Sequence, residues 1–550
     1  MPSSISNKGE GSSKSTEQTN TNYLFVTGGV MSGLGKGITA ASIGRLLINA
    51  GLDITAIKID PYLNVDAGTM NPTEHGEVYV LEDGSEVDLD LGNYERFLNE
   101  PMAAENNITT GKIYQEVINK ERSGDYLGNT VQIIPHITDE IKTRLQSVPD
   151  ENHDLCLVEL GGTIGDIEGM PYNEAIRQFI ENNPNRTALC HVTLVPYATS
   201  GEQKTKPTQH SVKELRSIGL DPDMIVGRCK DKLSVKTKEK ISLFCNVPMS
   251  SVYSNPDVSD IYQVPHRLSE ENVRDHIIDL FSLTTPTDQS DWGSVWSDSV
   301  NSAEFDSIHK TALVGKYGLD DAYLSIYEAL KHVGFNQNKQ IDVDLIDSEN
   351  LENGKTYDIK TIKDELSKYD SVIIPGGFGE RGTEGKIGAI RYCRENNVRF
   401  LGICYGLQLA VIEYARNVAD LTNANSTEID KETNHPVINI LPEQHDVEDM
   451  GGTMRLGIEK STTKPNTLAE SMHGEEILAR HRHRYEVNPE YIDQLAEEGL
   501  VFSATKNNRM ETIELQRDDH PFFFGCQYHP EFTSRPDDPQ VEFGNLVADR

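Results

Sequence analysis

Tyr23-Leu24-Phe25-Val26-Thr27-Gly28-Gly29-Val30-Met31-Ser32-Gly33-Leu34-Gly35-Lys36-Gly37 runs from a short apolar segment into a glycine loop closed by a lysine, and Ile38 to Ala50 continues in helical fashion. Strand, glycine loop and helix in that order predict an α/β fold with a phosphate cradle. Backbone N–H groups and the helix N-terminus face the anion, and Lys36 reaches its outer oxygens. The loop departs from the common phosphate loop at Gly37, where Ser or Thr would hold magnesium, and its first glycine is displaced by one. The metal ligands must therefore come from elsewhere. Asp90, in Glu86-Val87-Asp88-Leu89-Asp90-Leu91-Gly92, and Glu159, near the end of Leu155 to Leu160, are the candidates. For the acids of the first segment the bland reading is a solvated acidic strand. Glu159 ends an apolar run just before Gly161-Gly162-Thr163, the position at which α/β sheets bind ligands.

Outward from this loop, apolar runs at 23–26, 54–59, 155–160, 189–195 and 223–227 alternate with amphipathic stretches, as in a parallel sheet covered by helices. A polar segment follows from about Ser282 to Asp306, after which strands restart at 311–317, 342–346, 371–375 and 399–403. No internal repeat is visible. Two α/β units joined by a linker are expected. The boundaries are drawn as a disordered tail at 1–20, a first unit at 21–281, a linker at 282–308, a second unit at 309–536 and an acidic tail at 537–550. Both tryptophans, Trp292 and Trp296, lie in the linker four residues apart. Rings of that size are expected to pin it to a domain surface, against the alternative of a loose segment.

The second unit carries its own chemistry. Arg399-Phe400-Leu401-Gly402-Ile403-Cys404-Tyr405-Gly406-Leu407-Gln408 places Cys404 on a Gly-x-Cys-x-Gly turn after an apolar run, and His529-Pro530-Glu531 lies far downstream. A cysteine on a sharp strand-to-helix turn exposes its sulfur beside backbone N–H groups that can stabilise an oxyanion. A small core cysteine would fit the turn alone. His529 and Glu531 favour catalysis, because a thiol needs an imidazole to ionise and a carboxylate to orient that imidazole. These segments resemble the triad of class I glutamine amidotransferases. A phosphate loop and a glutaminase in one chain restrict the function to ATP-driven amidation with nitrogen from glutamine.

Several uncommon strings then resemble one family, the CTP synthases, over about residues 22 to 536. They include Lys58 to Asp66, Gly68-Thr69-Met70, His75-Gly76-Glu77-Val78, Gly124 to Gly128, Gly161 to Glu168, Lys204 to His210, Arg480 to Tyr485 and Gln527 to Phe532. The Lys204 to His210 and Asp166-Ile167-Glu168 strings argue against other ATP-dependent amidotransferases with the same modified loop. The resemblance implies a P-loop-type parallel-sheet synthase domain followed by a class I glutamine amidotransferase α/β domain. It implies that UTP is aminated to CTP through a 4-phosphorylated intermediate, with ammonia passed between two sites.

The resemblance also assigns residues. Gly33, Leu34, Gly35, Lys36, Gly37 and Ile38, with Lys58, Asp90, Glu159, Arg228 and Asp257, resemble the ATP and magnesium positions. Ser32, Lys58, Gln132, Asp166, Ile167, Glu168, Lys204, Thr205, Lys206, Pro207, Thr208, Gln209 and Lys240 resemble the site for UTP and for the inhibitory product CTP. Gly377, Tyr405, Gly406, Leu407, Gln408, Glu428 and Arg484 resemble the glutamine-binding positions. Pro72, His75 and Val78 resemble a gate on the ammonia passage, and Gly376 to Gly382 the loop linked to activation by GTP. A homotetramer is expected from the resemblance alone.

Charge and composition bound the rest. The 550 residues carry 51 Lys and Arg against 87 Asp and Glu, a net charge of −36. That is paradoxical for an enzyme of anionic substrates unless salt screens it, so a saline cytosol is expected; the Debye length falls to about 3 Å at 1 M. The commoner meaning of acidity is solubility. No apolar run approaches the roughly 20 residues that span a bilayer, so no membrane is expected as partner, and no nucleic acid is expected either. Seven scattered cysteines without a Cys-x-x-Cys pair point to a reducing cytoplasm. The basic island Arg228, Lys230, Lys232, Lys236, Lys238 and Lys240 is expected to face phosphates, with a solvated helix face as the alternative for Lys232, Lys236 and Lys238. Arg480, Arg482 and Arg484 alternate, and on an extended segment they would form a fork for the glutamine α-carboxylate.

Overall fold

The computed structural model describes residues 21–149, 152–285, 305–354, 356–440 and 454–549. Trp292 and Trp296, residues 1–20 and most of the expected linker lie outside the described residues. In the N-terminal part, β1 (Asn22–Gly28), β2 (Ile54–Asp60), β3 (Asn107–Thr109), β4 (Leu155–Leu160), β5 (Thr187–Leu194), β6 (Met224–Cys229) and β7 (Val252–Pro256) form one sheet. Its order is β3-β2-β4-β1-β5-β6-β7, and every pairing is parallel. The sheet is covered on both faces. Leu24 and Val26 of β1 join one core and Tyr23 and Phe25 the other, so the strands read as continuous apolar runs.

The C-terminal part has a nine-stranded sheet. Its strands are β8 (Ser307–Gly315), β9 (Lys339–Asp347), β10 (Ser371–Ile374), β11 (Arg399–Ile403), β12 (Arg455–Thr463), β13 (Glu476–His483), β14 (Val501–Lys506), β15 (Arg509–Glu514) and β16 (Phe523–Cys526). The order is β9-β8-β10-β11-β16-β15-β14-β12-β13. The five strands from β9 to β16 are parallel, and the other four extend the sheet in antiparallel fashion.

Helices α1 (Lys36–Asn49), α2 (Leu89–Leu98), α3 (Lys206–Ser217), α4 (Val235–Cys245), α5 (Thr383–Asn396) and α6 (Tyr405–Asn417) carry the residues that matter below. The segment expected as an acidic tail contains α7 (Val541–Leu546), with Phe543, Leu546 and Val547 fully buried in the core of the second sheet. Three apolar side chains at helical spacing outweigh the acids around them. No helix among the described residues is long and apolar enough to cross a membrane, and all seven cysteines are free and buried.

Candidate active sites

The glycine loop joins β1 to α1. Gly35 caps α1 in the left-handed region at φ 82°, which a glycine adopts without strain. Lys36 folds back over the loop and donates to the Gly162 carbonyl at 2.7 Å. A Cβ on Gly28 would lie 2.4 Å from the Lys36 chain, so only glycine leaves the lysine this path. Burial lowers the Lys36 pKa, and Lys58 adds to the effect.

Above the first turn of α1 the carboxyl ends of two strands meet the start of a helix. Lys58 and Asp60 come from β2 and Glu159 from β4, while Asp90 sits in the first turn of α2. Lys58 donates to Asp90 and, at 3.1 Å, to Glu159, and Tyr94 donates to the other Glu159 oxygen at 2.8 Å. Burial alone would lower the Lys58 pKa, but Asp90, Glu159 and Asp60 raise it well above the ordinary value. Burial pushes Asp60 up to about 6 and Asp88 up to about 8, the neighbouring acids adding to it in each case. A Cβ on Gly37 would stand 3.1 Å from Glu159 Oε2 and 3.4 Å from Asp90 Oδ1. The two candidate metal ligands therefore close over the residue that replaces the usual Ser or Thr. Hard carboxylate oxygens beside a phosphate cradle fit magnesium.

This cluster lines a cavity of about 770 Å³ that takes in Ser32 to Ile38, Lys58, His75, Asp90, Glu159 and Glu168. A neighbouring cavity of about 310 Å³ shares Gly33 and Leu34 with it and is lined by Arg228, Lys230 and Asp257. Arg228 donates to Asp257 at 3.0 Å. Gln132, the Lys204 to Gln209 segment and Lys240 line neither cavity. Thr205 and Thr208 are buried, and Thr208 bonds the Leu194 carbonyl, so these side chains hold the start of α3. Asp166 accepts from the Thr163 N–H at 2.7 Å, while Ile167 is exposed. Within the basic island, Lys232 and Lys238 pair with Glu271. Sharing one carboxylate, Lys232 just before α4 and Lys238 on it follow the solvated-face alternative, while Arg228 and Lys230 line the smaller cavity.

The second site lies where β11 and β16 run side by side. Ile403 pairs with Cys526, so Cys404 and His529 emerge from the same end of adjacent strands. Cys404 has φ 52° and ψ −99°, a strained conformation held by its N–H bond to the Cys526 carbonyl at 2.7 Å. Its Sγ contacts the Arg482 carbonyl and Gln527 Nε2, each at 3.6 Å. His529 Nδ1 is 2.7 Å from Glu531, and Nε2 is buried without a hydrogen-bond partner. Burial would lower the imidazole pKa, yet Glu531 and Cys404 raise it to about 10. Tyr405 begins α6, and the N–H groups of a helix's first turn have no partner within the helix.

A cavity of about 70 Å³ beside the thiol is lined by Gly376, Gly377, Phe378, Cys404, His529 and Glu531, and also by Pro72, Glu77 and Val78 of the N-terminal part. The segment from Pro72 to Val78 thus touches both sites, since His75 lines the large phosphate-side cavity. Gly76, at φ 80°, lets this segment pass against Leu89 and Asp321.

The other expected glutamine positions are divided in their contacts. Glu428 accepts from the Gly379 N–H at 2.7 Å, and the Tyr405 hydroxyl donates to the Gly379 carbonyl at 2.9 Å. Gln408 donates to the Tyr485 carbonyl, Leu407 is fully buried, and a Cβ on Gly406 would stand 2.1 Å from the Ile374 carbonyl oxygen. These three hold the turn. The expected arginine fork is not formed by Arg480 and Arg482. Arg480 is fully buried against Glu95, and Arg482 pairs with Glu86 at 2.8 Å. Alternation put them on one face, but that face meets the other domain's acids. Sequence reasoning gave no role to Asp60, Asp88, Glu77, Glu95 or Gln527. Glu77 and Glu95 gain significance from Ser325, Arg480 and Arg535, all distant in the chain, and Gln527 belongs to the Gln527 to Phe532 string without a role having been given to it.

Comparison with known proteins fits this arrangement. The CTP synthase N-terminus family matches residues 22–283, and the class-I glutamine amidotransferase family matches 319–548. The chain is similar to a CTP synthase of Natronomonas pharaonis, 60% identical over 96% of this chain and 94% of the relative. It is similar to one of Halobacterium salinarum, 57% identical over the same shares. The glutaminase domain of a Trypanosoma brucei CTPS with bound acivicin is 34% identical, covering 43% of this chain and 92% of that one, at a TM-score of 0.40.

Proposed function

The chain belongs to the CTP synthase family, glutamine-dependent ligases that aminate UTP, and on that premise we propose how its own residues divide the work. The observation that carries the reading is the pair of cavities bordered by one segment, Pro72 to Val78, with a carboxylate–lysine cluster on one side and a thiol–imidazole pair on the other.

ATP phosphates lie over Gly33 to Ile38, and the cavity lined by Arg228 and Asp257 takes the nucleoside. Lys36 counters the charge that spreads over the transferring phosphoryl. Asp90 and Glu159 would hold magnesium, which supplies further charge neutralisation at the phosphates. UTP lies at the Ser32 and Glu168 side, where phosphorylation turns uracil O4 into a leaving group. Lys204, Lys206, Gln209, Gln132 and Lys240 line no cavity of the single chain with this cluster, which suits a site completed by other subunits of a tetramer.

At the second site Cys404 thiolate attacks the glutamine carboxamide carbon, its proton having passed to His529 Nε2. Backbone N–H groups at Tyr405 and Gly377 hold the oxyanion, and His529 returns the proton to the departing ammonia. Glu531 keeps Nδ1 occupied so that Nε2 faces the thiol. Glu428 and Arg484 bind the amino and carboxylate ends of glutamine. Ammonia must pass Pro72, His75 and Val78 unprotonated, which requires this stretch to be shut off from bulk water during transfer. GTP activation at the Gly376 to Gly382 loop, inhibition by CTP and a cytoplasmic location complete the reading.

The test is conversion of UTP to CTP with ATP, magnesium and either glutamine or ammonium. Cys404→Ala should lose at least 100-fold with glutamine and stay within about twofold with ammonium; Lys36→Ala should lose both. Equal loss from both nitrogen sources in Cys404→Ala would sink the two-site assignment.

A further inference from the structure

The base of the second site is held from the first. His529 N–H donates to the Arg480 carbonyl at 2.8 Å, and Arg480 forks onto Glu95 of α2 at 2.7 and 3.1 Å. Arg535 bridges the same carboxylate, at 2.8 Å, to the Phe532 carbonyl, at 2.9 Å. The Phe532 ring stacks on the His529 imidazole at 4.9 Å between centroids and 12° between planes. Glu95 and Arg480 are fully buried, so neither charge can turn to solvent without breaking the pair.

The other end of α2 belongs to the phosphate site. Asp90, in its first turn, pairs with Lys58, and Glu95 follows five residues later, about 7.5 Å along the helix axis. Gly92 lies against the Tyr79 ring, leaving no room for a Cβ between them, and the Tyr79 hydroxyl bonds the Phe532 carbonyl at 2.6 Å. A redistribution of charge around Lys58 and Asp90 therefore acts on an element whose next turn grips both sides of the His529 turn.

We propose that Glu95 is a positioning residue for the glutaminase base, and that α2 makes the placement of His529 depend on occupancy of the phosphate site. The proposal rests on the two-site reading above. The thiol is then fully competent only when ATP and UTP have engaged the Lys58 and Asp90 cluster, so that ammonia is released when it can be used.

The test uses the full chain and its isosteric variant Glu95→Gln. CTP formation is measured from ammonium and from glutamine, and glutamate release with and without ATP and UTP. The native chain should release glutamate faster on addition of both nucleotides. Glu95→Gln should keep ammonium-dependent synthesis within about twofold, lose tenfold or more in kcat with glutamine while KM for glutamine changes less than threefold, and lose the nucleotide response. Arg480→Gln, which leaves Glu95 paired with Arg535, should give the same split, and it decides the matter should Glu95→Gln fail to fold. A preserved nucleotide response in the variants, an unresponsive native chain, or equal loss from both nitrogen sources overturns the proposal. A native chain that makes CTP from neither source would instead sink the two-site reading itself.

Discussion

Lys386 shows what a single buried charge does to this molecule. It is fully buried in α5 with no hydrogen-bond partner at Nζ, 5.5 Å from the centre of the Tyr405 ring. Burial, then the charges of Lys316 and Arg381, push its pKa down to about 7. The unfolded chain keeps this lysine charged up to its ordinary 10.5, so the folded state binds fewer protons between pH 7 and 10.5 and gains stability as pH rises through that window. Below pH 7 the penalty is complete. Lys386→Met, of similar length and without charge, should therefore stabilise the chain by about 2–4 kcal/mol at pH 6, with the gain shrinking towards pH 10. Denaturant unfolding of both proteins at the two pH values measures this. A gain that grows with pH would show that the lysine is not driven to its neutral form by folding.

At the scale of elements, the turn from β11 into α6 depends on contacts too close for a side chain. Gly406→Ala would drive a methyl into the Ile374 carbonyl of β10, and backbone cannot yield as a flexible side chain can. We expect a loss of about 1–3 kcal/mol in stability and at least tenfold in glutamine-dependent turnover, with ammonium-dependent synthesis retained. Unfolding midpoints and the two assays check it, and native-like glutamine turnover would count against the close packing. This turn was legible in the sequence because glycines flanking a cysteine after an apolar run have few other meanings. The parallel strands were legible for a related reason: burial on both faces leaves an uninterrupted apolar run. Strand β13 was not. Glu476–His483 reads as polar, yet Arg480, His481 and His483 are buried, and the partners of the first two, Glu95 and Glu511, are distant in the chain. The triad and the phosphate loop could be found as local strings. The grip of Glu95 on Arg480 spans 385 residues, and no local pattern announces it.

For the whole molecule, charge sets the working conditions. A net charge of −36 repels nucleotides at long range and strains the folded chain. Salt screens distant surface charges more strongly than the enclosed contacts of Lys36 and Lys58. Activity and thermal midpoint should therefore rise together from about 0.1 M to 1 M KCl, while the Debye length falls from about 10 to 3 Å. Assays across that series with magnesium and nucleotides saturating provide the check, and an optimum near 0.1 M with flat stability above it would leave the acidity as a matter of solubility alone. The halophilic relatives fit the first outcome.

The wall that Pro72, Glu77 and Val78 lend to the thiol cavity also bears on pharmacology. Glu77 is held by the Ser325 N–H and hydroxyl, and burial lifts its carboxyl to about 7, so near neutrality it offers a compound both a donor and an acceptor. Reagents that alkylate Cys404 alone address only the C-terminal side of this cavity. A molecule that also reaches across the seam to this wall would read a surface that stand-alone glutaminases do not possess, and selectivity among amidotransferases would come from the N-terminal half of the chain.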